Sequence, residues 1–330
     1  MRKTCKYRLY PTKQQQRLLA QHPEEGRWRY NHLLAERRDA WEQRRESVRL
    51  DDQHATLPAR KAERPRLAGV QSPVVHTVAV RSARALPAFL RRSKAGEVPG
   101  VPGYPRFRGQ GRYDRLTFPQ VPVGGKLEAG APRVSVMPVG MPVGRSTLLS
   151  HRPLGGTPQT AIMRRSSTGK WYVTCSCECA EPSPLPETGQ PVGVDVGLKT
   201  LASLSTGQAM ATPRFFRQEE TTLAKAQRRL RKDAKGPPAR AARAARAARA
   251  ARAARRTVVA RVSARSTWRR SDCAQQPRRR IGNAVDRRAV EELSVNRMVH
   301  TQGFAKRMHD AAWTQFADLL AYKAAWAGRT

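Results

Sequence analysis

The residues best suited to chemistry lie in Pro191-Val192-Gly193-Val194-Asp195-Val196-Gly197-Leu198-Lys199-Thr200-Leu201-Ala202-Ser203-Leu204, where one carboxylate stands inside an apolar run. The pattern predicts a buried strand, a tight glycine turn and a second apolar strand. A carboxylate buried without a partner is costly, so Asp195 is expected to serve a cation. That cation is a hard divalent metal or, as the plainer alternative, Lys199 or one of the many arginines in a salt bridge. A second candidate set is Cys175, Cys177 and Cys179. Their two-residue spacing puts them on one face of a strand, which favours small buried side chains over a metal site. With Cys5 and Cys273 they make five cysteines, an odd number with no CxxC pair, so neither a disulfide framework nor a zinc ribbon is read from them.

The remaining chemistry is electrostatic. The 330 residues include 63 Lys and Arg against 25 Asp and Glu, a formal net charge of +38. Such an excess calls for a polyanion partner, nucleic acid ahead of a membrane surface, and argues against an ordinary small-molecule enzyme. Between Gly236 and Ser271 there are eleven arginines and no acid. Arg240, Arg243, Arg246, Arg249, Arg252 and Arg255 recur at every third position. On a helix each such step advances about 300°, so these arginines wind around the cylinder and leave no face for a core. Either the segment meets solvent or nucleic acid, or it is a low-complexity expansion without a role; the sequence leaves both open. Hydrophobic residues make up 39% of the chain, enough for one or two cores. No run approaches the roughly 20 apolar residues of a membrane span, and the first residues have no signal-peptide core, which places the protein in the cytoplasm.

The elements that must carry these groups follow from pattern and punctuation. Residues 1 to 10 alternate weakly and stop at Pro11, as a short strand would. Thr12, three residues before Gln15, predicts a capping box that opens a helical stretch reaching about Arg92, interrupted at Pro23, Pro73 and Pro87. From 93 to 160 Gly and Pro recur every few positions, which predicts loops and short strands of a barrel-like β unit. Ala161 to Arg165, a turn Ser166-Ser167-Thr168-Gly169, and Lys170 to Cys175 form a predicted hairpin. The Pro-rich stretch from Pro182 to Pro186 is the expected domain boundary. Beyond it, Ala289 to Val295 is a short apolar strand ending in acids. Trp313, Phe316, Leu319, Leu320 and Trp326 have the helical spacing of core residues rather than of an aromatic site for bases.

Seven segments keep a particular order and spacing: Tyr7-Arg8-Leu9-Tyr10-Pro11-Thr12; Arg29-Tyr30-Asn31-His32-Leu33-Leu34; Gly103-Tyr104-Pro105-Arg106-Phe107-Arg108 running to Phe118-Pro119-Gln120; Ser167 to Val173; Val192 to Lys199; Val290-Glu291-Glu292-Leu293-Ser294-Val295; and Ala321 to Gly328. Together, across almost the whole chain, they resemble the TnpB (OrfB) proteins of bacterial insertion sequences, RNA-guided DNA nucleases related to the type V CRISPR effectors. The resemblance implies an α+β multidomain fold. A helical recognition lobe (11–95) is inserted in a β-barrel wedge domain (1–10 and 96–185). A RuvC domain with an RNase H-like α/β core (190–330) follows and contains the basic segment 214–272.

The resemblance also implies a site. Asp195 and Glu291 match two of the carboxylates that hold Mg²⁺ for two-metal hydrolysis of phosphodiesters, with Glu292 on the opposite strand face. The implied partners are a guide RNA from the protein's own element and a double-stranded DNA target, with no membrane, in the bacterial cytoplasm at the nucleoid. Arg106, Arg108, Arg112, Lys170 and Trp171 of the wedge-like segment, and Lys199 beside Asp195, are the candidate nucleic-acid contacts. Solvated surface charge, or for Trp171 a core aromatic, is the alternative for each. The family continues past the position of Gly328 into a zinc ribbon and a third catalytic Asp. This sequence has neither, and Asp310 and Asp318 are its only later carboxylates. No zinc and weak or absent cleavage are therefore expected. A nuclease-inactive binder, guided or nonspecific, from a decayed element copy is the alternative, and Pro23, Gly26, Pro73, Pro87 and the Arg-Ala-Ala repeat agree with it.

Overall fold

The computed structural model describes residues 1–95, 103–119, 133–136, 146–149, 154–181, 184, 186, 189, 191–197, 199–211, 215–232, 242–284, 287–290 and 313–326. These form two compact units, Met1–Ala180 and Glu181–Thr330.

The first unit opens with strand β1 (Arg2–Tyr10), and Thr12 then caps helix α1 (Lys13–Arg44). The capping box is reciprocal: Gln15 N donates to Thr12 Oγ1 at 3.3 Å, and Thr12 N donates to Gln15 Oε1 at 2.9 Å. Helices α2 (Leu50–Ala55), α3 (Leu57–Glu63), α4 (Pro65–Ala68) and α5 (Ser72–Ala95) follow. Pro73 sits in the first turn of α5, where its missing N–H has no partner to lose. The interruptions expected at Pro23 and Pro87 do not occur, since α1 and α5 run through them. An internal proline costs about 3 kcal/mol, and packing offsets it: Pro23 lies on the stripe Leu19, His22, Pro23, Gly26, Tyr30, Leu33 that α1 buries. Gly26 has a packing role of its own, because a Cβ there would stand 2.9 Å from Tyr113 Cε1.

Strands β2 (Arg115–Phe118), β3 (Arg133–Val136), β4 (Ser146–Leu149), β5 (Thr157–Arg165) and β6 (Trp171–Glu178) join β1 in a six-stranded antiparallel sheet, in the order β2-β5-β6-β1-β4-β3. Among the described residues this sheet is open, which corrects the expected closed barrel. Helix α5 covers one edge instead. Thr77 Oγ1 donates to the Thr117 carbonyl at 3.4 Å and Arg81 Nη2 to Thr117 Oγ1 at 3.1 Å, on edge strand β2. The β5–β6 hairpin closes as its turn residues dictate: Gly169 takes φ +83°, its N–H donates to Ser166 O, and Ser166 N–H donates to Lys170 O. Tyr7, Leu9, Met163, Trp171 and Val173 of the sheet pack with Leu19, Leu67, Val74 and Val75 of the helices into one core. Cys5, in register with Cys175, belongs to that core, and Cys177 is also fully buried.

The second unit contains β7 (Pro191–Asp195), β8 (Thr200–Leu204), β9 (Ala209–Ala211), α6 (Phe215–Lys232), α7 (Ala242–Ala284), β10 (Arg287–Val290) and α8 (Trp313–Trp326). Its sheet has the order β10-β7-β8-β9, with β10 parallel to β7 and the other pairs antiparallel. Val192, Val194, Ala202 and Leu204 bury one sheet face against Phe316 and Leu320 of α8, so the last helix is a core element. No described helix is long and apolar enough to cross a membrane.

Candidate functional site

Asp195 is the last residue of β7. Alternation puts Val192 and Val194 in the core and Asp195 on the opposite face, where it is exposed. The expectation of a buried carboxylate is thereby corrected: five apolar-looking residues cover one face of the sheet, not two. The alternative, a salt bridge, is not seen among the described residues: Asp195 has no ion pair there, and Lys199 is exposed in the β7–β8 turn. That turn needs Gly197, whose Cβ would stand 3.1 Å from the Thr200 carbonyl oxygen. Asp195 faces Ser203 of β8, and a second link fixes the strand pair: Ser205 N–H donates to Gly193 O at 2.9 Å while Gly193 N–H donates to Ser205 Oγ at 3.1 Å.

On its other side β7 meets β10 in parallel register, with Val194 opposite Val290. Asp195 is the next residue after Val194, and Glu291 is the next after Val290. Glu291 and Glu292 lie outside the described residues, as does Asp310; Asp318 is exposed on α8. Among the described residues no three His, Cys, Asp or Glu side chains form a metal-binding group. Asp195 itself fits Mg²⁺ by donor chemistry, being an exposed hard-oxygen ligand not engaged by a cation among the described residues. The cysteines do not: burial pushes the Cys175 and Cys177 thiols up to about 11, so they are protonated at neutral pH.

The basic candidates in the first unit are held differently from one another. Two of the motif segments meet: Asn31 of α1 grips the Arg108 backbone from both sides, its Oδ1 accepting from Arg108 N at 2.7 Å and its Nδ2 donating to Arg108 O at 2.9 Å. Arg27 Nη1 donates to the same carbonyl at 3.2 Å, and the Arg108 guanidinium lies 5.5 Å from the Tyr30 ring centroid. Arg106 and Arg112 are exposed on the same irregular segment, whose Tyr104 and Phe107 rings pack on Phe89 and under Arg38. Lys170 is half-buried and closes the hairpin through its carbonyl. Trp171 is corrected from the contact set to the core: at 3% exposure its ring has no face for a base. The tie that Asn31 makes between the two segments is what sequence reasoning missed. Its signal was a short amide side chain in the interior of a helix, where such residues are poor formers and need another reason to be.

The comparisons with known proteins agree on a family. Residues 174–302 match the OrfB_IS605 family model, described as "Probable transposase", and residues 1–46 match a "Helix-turn-helix domain" model. The latter segment is here a strand followed by one long helix. A Streptomyces pristinaespiralis protein named "Putative RNA-guided DNA endonuclease" is 31% identical over 341 residues, covering 100% of this chain and 76% of the relative. The Escherichia coli (strain K12) protein named "Putative RNA-guided DNA endonuclease InsQ" is 29% identical over 132 residues, 40% of this chain and 31% of the relative. A solved Cas12f1–sgRNA–target DNA complex aligns with 100% of this chain and 88% of that one at 11% identity and a TM-score of 0.48, a likeness too weak to add to the sequence relatives. By its match to the Streptomyces relative over its full length, the chain belongs to the TnpB (OrfB) family of insertion-sequence proteins.

Proposed function

We propose that the protein is an RNA-guided DNA endonuclease of a mobile element, which binds a guide RNA from its own element and a double-stranded DNA target. The observation that carries the chemistry is the parallel register of β7 and β10, Val194 opposite Val290. Asp195 ends β7 one residue after Val194, and Glu291 follows Val290 in the sequence, each about 3.8 Å of chain from a registered pair on strands spaced about 4.8 Å apart. Two carboxylates so placed would hold Mg²⁺, which supplies an activated water and stabilises the leaving oxygen of a phosphodiester. The protein's part is to hold Asp195 at the end of β7, with β10 leading into Glu291, and to hold the nucleic acid by charge, with +38 in excess. Arg106, Arg112 and Lys199, all exposed, together with Arg108 and Lys170, are proposed backbone contacts.

The test is cleavage of labelled DNA by the purified chain in Mg²⁺, after co-expression with RNA from its own locus. Asp195→Ala is expected to lower guide-directed cleavage by about 10³-fold or more, as loss of a charge-stabilising group at the reacting centre does. RNA retention should be unchanged. Cleavage that survives Asp195→Ala overturns the assignment of the site; salt-sensitive RNA retention with no cleavage by the parent chain would make it a binder.

A further inference from the structure

Helix α7 carries two physically different stretches. Between Thr257 and Cys273 the helix has a packed face: Val262 and Ser266 are buried, and Arg265 Nη1 and Arg269 Nη1 both reach Glu219 Oε1 of α6 at 3.4 Å. From Ala247 to Arg256 all ten residues are exposed. This stretch is helical without any packed face, and its composition explains why: Ala and Arg are among the strongest helix formers. Its root is tied down, since Arg255 Nη1 donates to the Arg229 carbonyl in the last turn of α6, an end that attracts cations. Arg252 and Arg256 have no partner among the described residues. The neighbouring end of α6 adds Arg228, Arg229, Arg231 and Lys232, and Asp233, the next residue in the sequence, lies outside the described residues. A helix of this kind is kept from collapsing onto the protein and carries a cation about every 4.5 Å of rise.

We infer that Ala247–Arg256 is a rigid electrostatic arm that contacts the phosphodiester backbone of nucleic acid without reading its sequence. Arg249, Arg252, Arg255 and Arg256 fall within about 120° of the helix circumference and form one charged stripe among alanines, which suits a run of phosphates, the contact that carries no sequence information. The inference rests on the proposed nucleic-acid function but not on cleavage. The arm would add to the affinity of correct and incorrect targets equally, raising the rate of encounter rather than the discrimination between them.

The experiment compares the full chain with the triple variant Arg249→Gln, Arg252→Gln, Arg256→Gln, sparing Arg255 because it holds α6. Binding of a labelled 30-base-pair duplex, and separately of single-stranded RNA, is followed by anisotropy across a salt series. If all three arginines meet phosphates, the slope of log K against log salt falls by up to about 2.7 on duplex DNA or about 2.1 on a single strand. Extrapolated from molar salt, affinity at 0.15 M falls by up to about 100-fold. The ratio of specific to nonspecific affinity should not change, and a triple Lys variant should restore the slope. A loss confined to one probe assigns the arm to DNA or to RNA. An unchanged slope on both, or a loss that Lys fails to restore, overturns the inference. Should the Gln variant lose its helical circular dichroism, an Ala variant at the same positions repeats the comparison in the best helix-forming background. Absence of cleavage in every sample would defeat the proposed nuclease and leave the slope comparison intact.

Discussion

Removing Arg64 should damage the first unit far more than neutralising its partner Glu25. Arg64 binds Glu25 in a fork, Nε to Oε2 at 2.5 Å and Nη2 to Oε1 at 3.2 Å, linking α1 to the start of α4. The two ends are buried unequally, the Glu25 side chain being 4% exposed and that of Arg64 35%. Arg64→Ala strands a buried carboxylate, at a cost of about 3–5 kcal/mol. It also removes a guanidinium 4.6 Å from the Trp28 ring centroid, worth a further ~0.5–1 kcal/mol. Glu25→Gln keeps shape and hydrogen bonding and leaves a cation that already reaches water, so about 1–1.5 kcal/mol is expected. The double variant removes the stranded charge and should be more stable than Arg64→Ala alone by about 2 kcal/mol. Against a typical total of about 5–15 kcal/mol, Arg64→Ala alone takes a large share. Urea unfolding with peptide-resolved hydrogen exchange over α1 and β1 separates this unit from the second. Equal costs for the two single changes, or strict additivity in the double, would refute the reasoning.

Three more outcomes are expected. Gly26→Ala gains about 1 kcal/mol of helix propensity but drives a methyl into Tyr113, whose hydroxyl accepts from Arg81 at 2.9 Å; overpacking of about 1–3 kcal/mol wins, and the loss should vanish in a Tyr113→Val background. Native Cys5, Cys175 and Cys177 should resist a thiol reagent at pH 8, the first by burial and the other two with thiols near 11, and all five cysteines should react in urea; rapid native labelling of Cys177 would contradict the core assignment. Burial holds the His22, His32 and His76 imidazoles below their usual 6.5, so the folded state releases protons that the unfolded chain keeps. Stability from this source is complete above pH ~7 and is lost as pH falls through 6.5, so the urea midpoint should drop towards pH 5.5, and less so in His22→Gln; a flat midpoint would count against it.

What could be foreseen was local. The Thr12–Gln15 cap, the Ser166–Gly169 turn and the β7–β8 pair each depend on residues within a few positions, and each formed where the sequence placed it. Foresight failed where distant partners decide. Pro23 looked like a break because the core that its helix packs into is contributed in part by strands far along the chain, whereas the exposed Pro87 lies inside α5 with no packing to explain it. Asp195 looked buried because an apolar run of five reads the same whether one face of the strand is covered or both. The pairing of β1 with β6 joins residues about 170 apart, and the Asn31 grip on Arg108 spans 77, separations that no periodicity records.

The topology of the second unit joins the carboxylates and the arm in one argument. Parallel neighbours such as β7 and β10 cannot be connected by a hairpin; they require a crossover of a dozen residues or more. Here that crossover holds β8, β9, α6 and α7, so the arm is an excursion within a connection the sheet must have anyway. Lengthening such a connection is cheap, about 0.6 kcal/mol for each doubling, and an Ala-Arg helix needs no core to stay formed. What the proposed site demands is that β10 return in register, and the packing of α6 on α7 through Glu219 anchors the root of the excursion. The arm can therefore gain or lose charged turns while Val194 stays opposite Val290. On the proposed function, binding strength would follow total charge and chemistry would follow Asp195 and Glu291, so the two could vary independently in the same short domain.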